Sequence, residues 1–179
     1  MQKKNYIRLL FANYFLFVSV LLNAQQIVTD KLTANSFSLE NAVIYADKDD
    51  FSLVKKSAEL LQQDIEMVTG EKFVIINNLN KPYKNIIVIG SITNSALIKE
   101  LIAKKKVDYK SISGKWEAYK VQAIDGSFMM PVQNMLVVAG SDRRGVAYGV
   151  FELSKQIGVS PWYWWADVPV KRRASIYIK

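Results

Sequence analysis

Two runs, NIIVIGS at 85–91 and MLVVAGS at 135–141, are apolar at consecutive positions rather than at alternate ones. Successive side chains of a β-strand point to opposite faces, so a strand with one wet face alternates in polarity. IIVI and LVV do not alternate, and they predict central strands covered on both sides. The chain must therefore supply helices to cover them. The clearest is predicted over Ser52–Thr69, where Phe51, Val54, Ala58, Leu61, Ile65 and Val68 recur at steps of three and four, a one-sided apolar stripe at helical period. Gly70 follows it, where a left-handed C-terminal cap belongs.

Further strands are expected at Asn41–Asp47, Lys72–Asn77, Trp116–Ile124 and Ser175–Lys179, the last able to close a sheet edge. Further helices are expected at Ser95–Lys105 and from Arg143 or Arg144 to Ile157. Gly158 and Ser160-Pro161 stop the latter as a glycine cap and a proline do. Residues 25–40 read as a lead-in with one short strand. This order gives an α+β fold, a mixed β-sheet with helices packed mainly on one face. If three modest helices cover one face, the apolarity of IIVI and LVV points to a partner on the other.

Residues 1–24 read as a secretory leader. Lys3, Lys4 and Arg8 form a positive start, Leu9–Leu22 an apolar run of 14 residues, and Asn23-Ala24-Gln25 a cleavage site. A membrane-spanning helix needs about 20 residues, so cleavage after Ala24 is preferred to a stable anchor. The expected product is an exported single domain, 25–179. It has no cysteine, so it folds without disulfides. The formal charge of +8 includes the three leader cations. The remaining basic residues are scattered, without the stripe or motif of a nucleic-acid binder.

The chain has no histidine, which removes serine–histidine triads and histidine metal sites. Most of its carboxylates lie in turns or on outward helix positions, and sequence alone pairs none across a cleft as a glycosidase requires. No cofactor is implied. GSDRRG, 140–145, joins a strand to a helix. Ser141 or Asp142 can cap that helix, while the free amides with Arg143 and Arg144 could instead hold an anion. The glycine spacing is neither that of a P-loop nor that of a dinucleotide fingerprint, and the plain cap is the preferred reading. SPWYWWADVPV, 160–170, packs three of the four tryptophans into eleven residues. Not all its rings fit a core this small, and surface tryptophan marks contacts.

Taken whole, GSDRRGVAYGVFELSKQIGVSPWYWWADVPV resembles the end of the N-terminal domain of glycoside hydrolase family 115, secreted xylan α-1,2-glucuronidases. The likeness is specific over 140–170 and looser over 41–139, where the strand–helix order and VTGEKF agree. Tyr148-Gly149 is also similar to the related N-terminal domains of β-hexosaminidases and of the other α-glucuronidase family. The resemblance implies a β-hexosaminidase-type α+β domain preceding a TIM barrel that carries the catalytic acids. The chain ends at Lys179, before any such barrel, so it is expected to be a fragment, inactive alone, with no catalytic residue to carry over.

The resemblance implies as partners the barrel of the parent protein and, through it, a xylan-type polysaccharide. Asp142, Arg143, Arg144, Trp162, Trp164 and Trp165 are then the candidate interdomain or substrate-binding residues. For the aromatics, interdomain contact is preferred over local core and direct sugar contact. A stand-alone carbohydrate-binding or scaffolding module is the alternative. The equivalent β-hexosaminidase domain is a further one, against which the WYWWADVP run argues.

Overall fold

The computed structural model describes residues 27–33, 36–128 and 132–179; the leader expected at 1–24 lies outside the described residues. No described helix is long and apolar enough to cross a membrane.

Among the described residues, eight strands form two sheets. In chain order the strands are β1 (Val28–Thr29), β2 (Phe37–Ser38), β3 (Ala42–Ala46), β4 (Ile75–Ile76), β5 (Tyr83–Ser91), β6 (Tyr119–Asp125), β7 (Val132–Gly140) and β8 (Tyr177–Ile178). The helices are α1 (Ser52–Thr69), α2 (Ala96–Ala103), α3 (Arg143–Ile157) and a single turn, α4 (Tyr163–Ala166). The main sheet runs β4-β3-β5-β7-β6, parallel except for β6, which pairs antiparallel with β7. The two apolar runs are its neighbouring central strands, in register from Ile86↔Met135 to Ile89↔Val138. The expected mixed-sheet α+β fold is the observed one.

Each face of the sheet has its own core. On one face α1 and α3 lie over Ile44, Ile87, Ile89, Leu136 and Val138. The predicted stripe of α1 is the buried one, with Val54, Ala58, Leu61, Ile65 and Val68 all at 1% exposure or less. Each of the valine, leucine and isoleucine side chains buried so completely contributes about 1.5–3 kcal/mol. Gly70 ends the helix at φ +81°, its N–H donating to the Glu66 carbonyl at 2.8 Å, a conformation that glycine adopts without a Cβ penalty.

The second face corrects the expectation of an outside partner for the sheet. Ile86, Val88, Met135 and Val137 on that face are covered by the chain itself, through Leu97, Ile98 and Leu101 of α2 and then Val107 and Ile112. Periodicity shows which side of a helix faces inward, but not which sheet face the helix crosses to. The final strand also differs from expectation. β8 does not edge the main sheet but forms the centre of a separate antiparallel sheet, β1-β8-β2. The lead-in accordingly holds two short strands, because β8 offers both its edges.

Candidate functional site

The C-terminal ends of parallel strands, where helices leave to opposite faces, are where open α/β sheets bind ligands. Here α1 and α2 leave β3 and β5 for opposite faces, and the crevice between them is filled by the chain's own polar groups. Asp50 accepts from the Ser91 N–H (2.7 Å), the Ser91 hydroxyl (2.8 Å) and the Phe51 N–H (2.8 Å). Asp47 accepts from the Ala96 N–H at the start of α2 (2.7 Å) and from the Asp49 N–H (3.0 Å). Asp47, Asp50, Ser91 and Ser95 are all buried. The fold thus gathers carboxylates that are scattered in sequence, but spends their oxygens on amides and a hydroxyl. Among the described residues no group of three or more carboxylates could hold a metal.

The end of β7 is built the same way. Asp142 Oδ1 accepts from the Arg144 and Gly145 N–H groups at 2.9 and 2.7 Å, and Oδ2 accepts from the Glu117 N–H at 2.9 Å. Burial alone would raise its carboxyl pKa, but the three backbone donors and the nearby Arg144 charge together hold it below the ordinary value. The free amides of α3 are therefore taken by a residue of the chain. Ser141 adds two bonds to Ala118, its N–H donating to the carbonyl and its hydroxyl accepting from the amide. The start of β6 is so fastened to the start of α3. Gly145 permits the fit, since a Cβ there would meet the Ala118 carbonyl oxygen.

The two arginines of this loop differ. Arg144 pairs with Glu117 at 2.8 Å and donates to the Tyr148 hydroxyl at 3.2 Å. The Arg143 side chain is exposed and forms no ion pair or hydrogen bond among the described residues.

The aromatic segment lies beyond the C-terminus of α3, which runs back across the sheet. It begins without regular structure at 160–162. Tyr163–Ala166 form one helical turn closed by Asp167 at φ +50°, a left-handed conformation tolerated by aspartate. Its rings divide. Tyr163 packs against the larger core, while Trp162 and Trp165 are 64% and 85% exposed. The Trp164 side chain lies outside the described residues. Beside Trp162 opens a groove of about 900 Å³, lined on the α3 side by Glu152 and Lys155 and on the other by Pro169, Lys171 and Arg173. A second open groove of about 640 Å³ follows the β4 edge; Glu59 is the one carboxylate in its lining. Neither groove sets two carboxyl groups face to face, as glycoside hydrolysis requires.

Four exposed aromatics escaped the sequence reading: Trp116, Tyr119, Tyr148 and Phe151. A signal for two was present. From Arg144, steps of four, three and four reach Tyr148, Phe151 and Lys155, an outward stripe that mixes rings with charges.

No protein-family model matches the chain, and no curated protein matches it. Solved structures do. BtGH115A, described as a family GH115 4-O-methyl-α-glucuronidase with specificity for decorated arabinogalactans, aligns over 78% of this chain with a TM-score of 0.63 and 30% sequence identity. CpGH84D aligns over 86% with a TM-score of 0.50 and 13% identity, a likeness of fold alone. The chain spans 17% of the length of the first and 22% of the second. Its fold is thus one carried as a minor part of a larger glycoside hydrolase, as an accessory domain would be.

Proposed function

We propose that the chain is the non-catalytic N-terminal domain of an exported glycoside hydrolase whose separate catalytic barrel removes glucuronic or 4-O-methylglucuronic acid side chains from a polysaccharide. One observation carries this reading: the 30% identity and shared fold with a part of BtGH115A. The sequence resemblance implies a xylan backbone, whereas the specificity described for BtGH115A is for decorated arabinogalactans. The α-linked uronic acid side chain is common to both, and the proposal rests on that side chain.

In this reading the barrel of the same polypeptide is the partner, and the exposed Trp162 and Trp165 belong against it. The test is to express the chain alone and together with whatever coding sequence follows codon 179. Each product is then assayed for release of uronic acid from glucuronoxylan and from decorated arabinogalactan. The longer product should release it and the chain alone should not. Release by the chain alone, or a longer product acting on a different linkage, would sink the proposal.

One observation favours a second reading, a carbohydrate-binding module: Trp162 stands exposed beside an open groove that Lys155 and Lys171 line. Calorimetric titration of residues 25–179 with glucuronic acid and aldouronic xylo-oligosaccharides separates the two. The first reading expects no heat of binding, the second a saturable one.

A further inference from the structure

We infer that the lysines following α2, namely Lys105, Lys106 and Lys110 with Lys104 beside them, form a surface that holds an acidic polysaccharide by several of its carboxylates at once. The choice of a polymer bearing uronic acids rests on the functional reading above. The surface is separate from the aromatic segment, because α2 and the residues after it cover the opposite face of the sheet.

The fold gathers what the sequence scatters. Val107 and Ile112 pin the segment after α2 to the second core, while Lys104, Lys105, Lys106 and Lys110 stay exposed. Two of these cations share one ring. The Nζ atoms of Lys106 and Lys104 lie 4.5 and 5.8 Å from the centre of Phe128, within reach of the attraction between an ammonium and an aromatic face. Phe128 in turn packs against the second core. Lys105 and Lys110 line one hollow of about 580 Å³ together with Asp108, and Lys120 of β6 reaches the same Asp108 at 2.9 Å. The end of α2, the segment after it and the edge strand β6 thus present one surface.

The acids of this surface are largely occupied. Glu100 is paired with Lys104 at 2.8 Å and Asp108 with Lys120. The Ser127 amide and hydroxyl, and then Lys106, hold the Asp125 carboxyl below its ordinary pKa. The ammonium groups of Lys105, Lys106 and Lys110 form no ion pair or hydrogen bond among the described residues. The dipole of α2 favours cations in and just beyond its last turn. That accounts for Lys104 to Lys106 but not for Lys110, which comes seven residues after the helix ends.

The chemistry selects the occupant. An exposed ammonium–carboxylate pair contributes little by itself, so a single uronic acid gains too little to register. This agrees with the absence of heat that the first reading expects from glucuronic acid and short aldouronic oligosaccharides. A polymer that brings several carboxylates to several lysines converts each later contact into an intramolecular one. Single-stranded nucleic acid would want rings free to stack on its bases, and a protein partner would want an apolar centre. Here Ile102, Val107, Tyr109 and Phe128 are turned into the second core.

The test is binding of the chain to immobilised decorated arabinogalactan, before and after chemical reduction of its carboxyl groups, at low and at physiological salt. The unsubstituted chain should bind the native polymer, more weakly as salt rises, and should not bind the reduced one. Lys105→Ser, Lys106→Ser and Lys110→Ser together should weaken binding by about tenfold or more. The charge-matched set Lys55→Ser, Lys56→Ser and Lys72→Ser, on and after α1, should weaken it by less than about threefold. All six positions are exposed, so each set should melt within about 2 °C of the unsubstituted chain. Equal losses in the two sets would mean that net charge alone is at work and would overturn the inference. So would failure of the unsubstituted chain to bind, undiminished binding to the reduced polymer, or equal retention on phosphatidylglycerol vesicles. Failure of the functional reading shows elsewhere, as a longer product that releases no uronic acid.

Discussion

The strand ends and the outer face of α3 treat their chemical groups in opposite ways. At the ends of β3 and β5 the chain buries carboxylates and answers each with backbone or hydroxyl donors of its own. Along α3 and at α4 it exposes aromatic rings and leaves them open to solvent. The first region is where sheets of this topology usually receive a ligand, and it is closed. The second has the form of a structural element, and it is open. Position in a fold therefore does not by itself locate function; unsatisfied surface is the better guide.

The largest test of that contrast is Asp50→Ala. It strands the Ser91 amide and hydroxyl and the Phe51 amide in a buried crevice, and should cost about 3 kcal/mol, read by denaturant titration. A cost below about 1 kcal/mol would mean that water already serves this crevice. Next is Asp142→Ala, which removes the α3 cap and should cost about 1–2 kcal/mol. The Asp142 pKa is lowered from 3.8 in the folded state by its backbone donors. The charge-dependent part of its contribution is therefore full above that ordinary value and is lost as pH falls through the folded one. Melting curves of wild type and variant should converge at low pH.

Asp64, beside Ser154 where α1 meets α3, carries the opposite sign. Burial raises its carboxyl pKa. Its ionisation therefore opposes folding as pH rises through the folded-state value, while below the ordinary value of 3.8 it costs nothing. Asp64→Asn should raise the melting temperature at neutral pH, and that gain should vanish in acid. The smallest effect is expected for Trp165→Ser. At 85% exposure the ring contributes little to folding, and stability should stay within about 0.5 kcal/mol while iodide quenching of tryptophan fluorescence falls. A large loss of stability would show that Trp165 packs within the domain and does not await a contact.

What was legible in the sequence follows the same division. NIIVIGS and MLVVAGS declared themselves because a short run of consecutive apolar residues, closed by glycine and serine, is the mark of a strand buried on both faces. The α1 stripe and Gly70 were legible because both signals are local. The crossing of α2 to the far face and the place of β8 were not, since pairing between residues 38 and 177 leaves no local trace. Asp142 as a cap was readable from its neighbours. Its third bond, to the Glu117 amide, joins positions 25 apart and was not. Tyr148 and Phe151 were hidden by residue type: large rings suggest a core, and only their shared face with Arg144 and Lys155 says otherwise.

The position of β8 has a consequence for biosynthesis. β1 and β2 leave the ribosome early, yet each has β8 as its pairing partner, and Lys179 donates back to the Ile27 carbonyl. At about 5–20 residues per second, the interval from residue 38 to residue 177 lasts roughly 7–28 s. The main sheet can assemble during that wait, but the small sheet cannot. Arg173, which pairs with Asp30 at 2.8 Å, also emerges late in that interval. The nascent domain must therefore carry two unpaired strands until β8 emerges, and β8 acts as its latch.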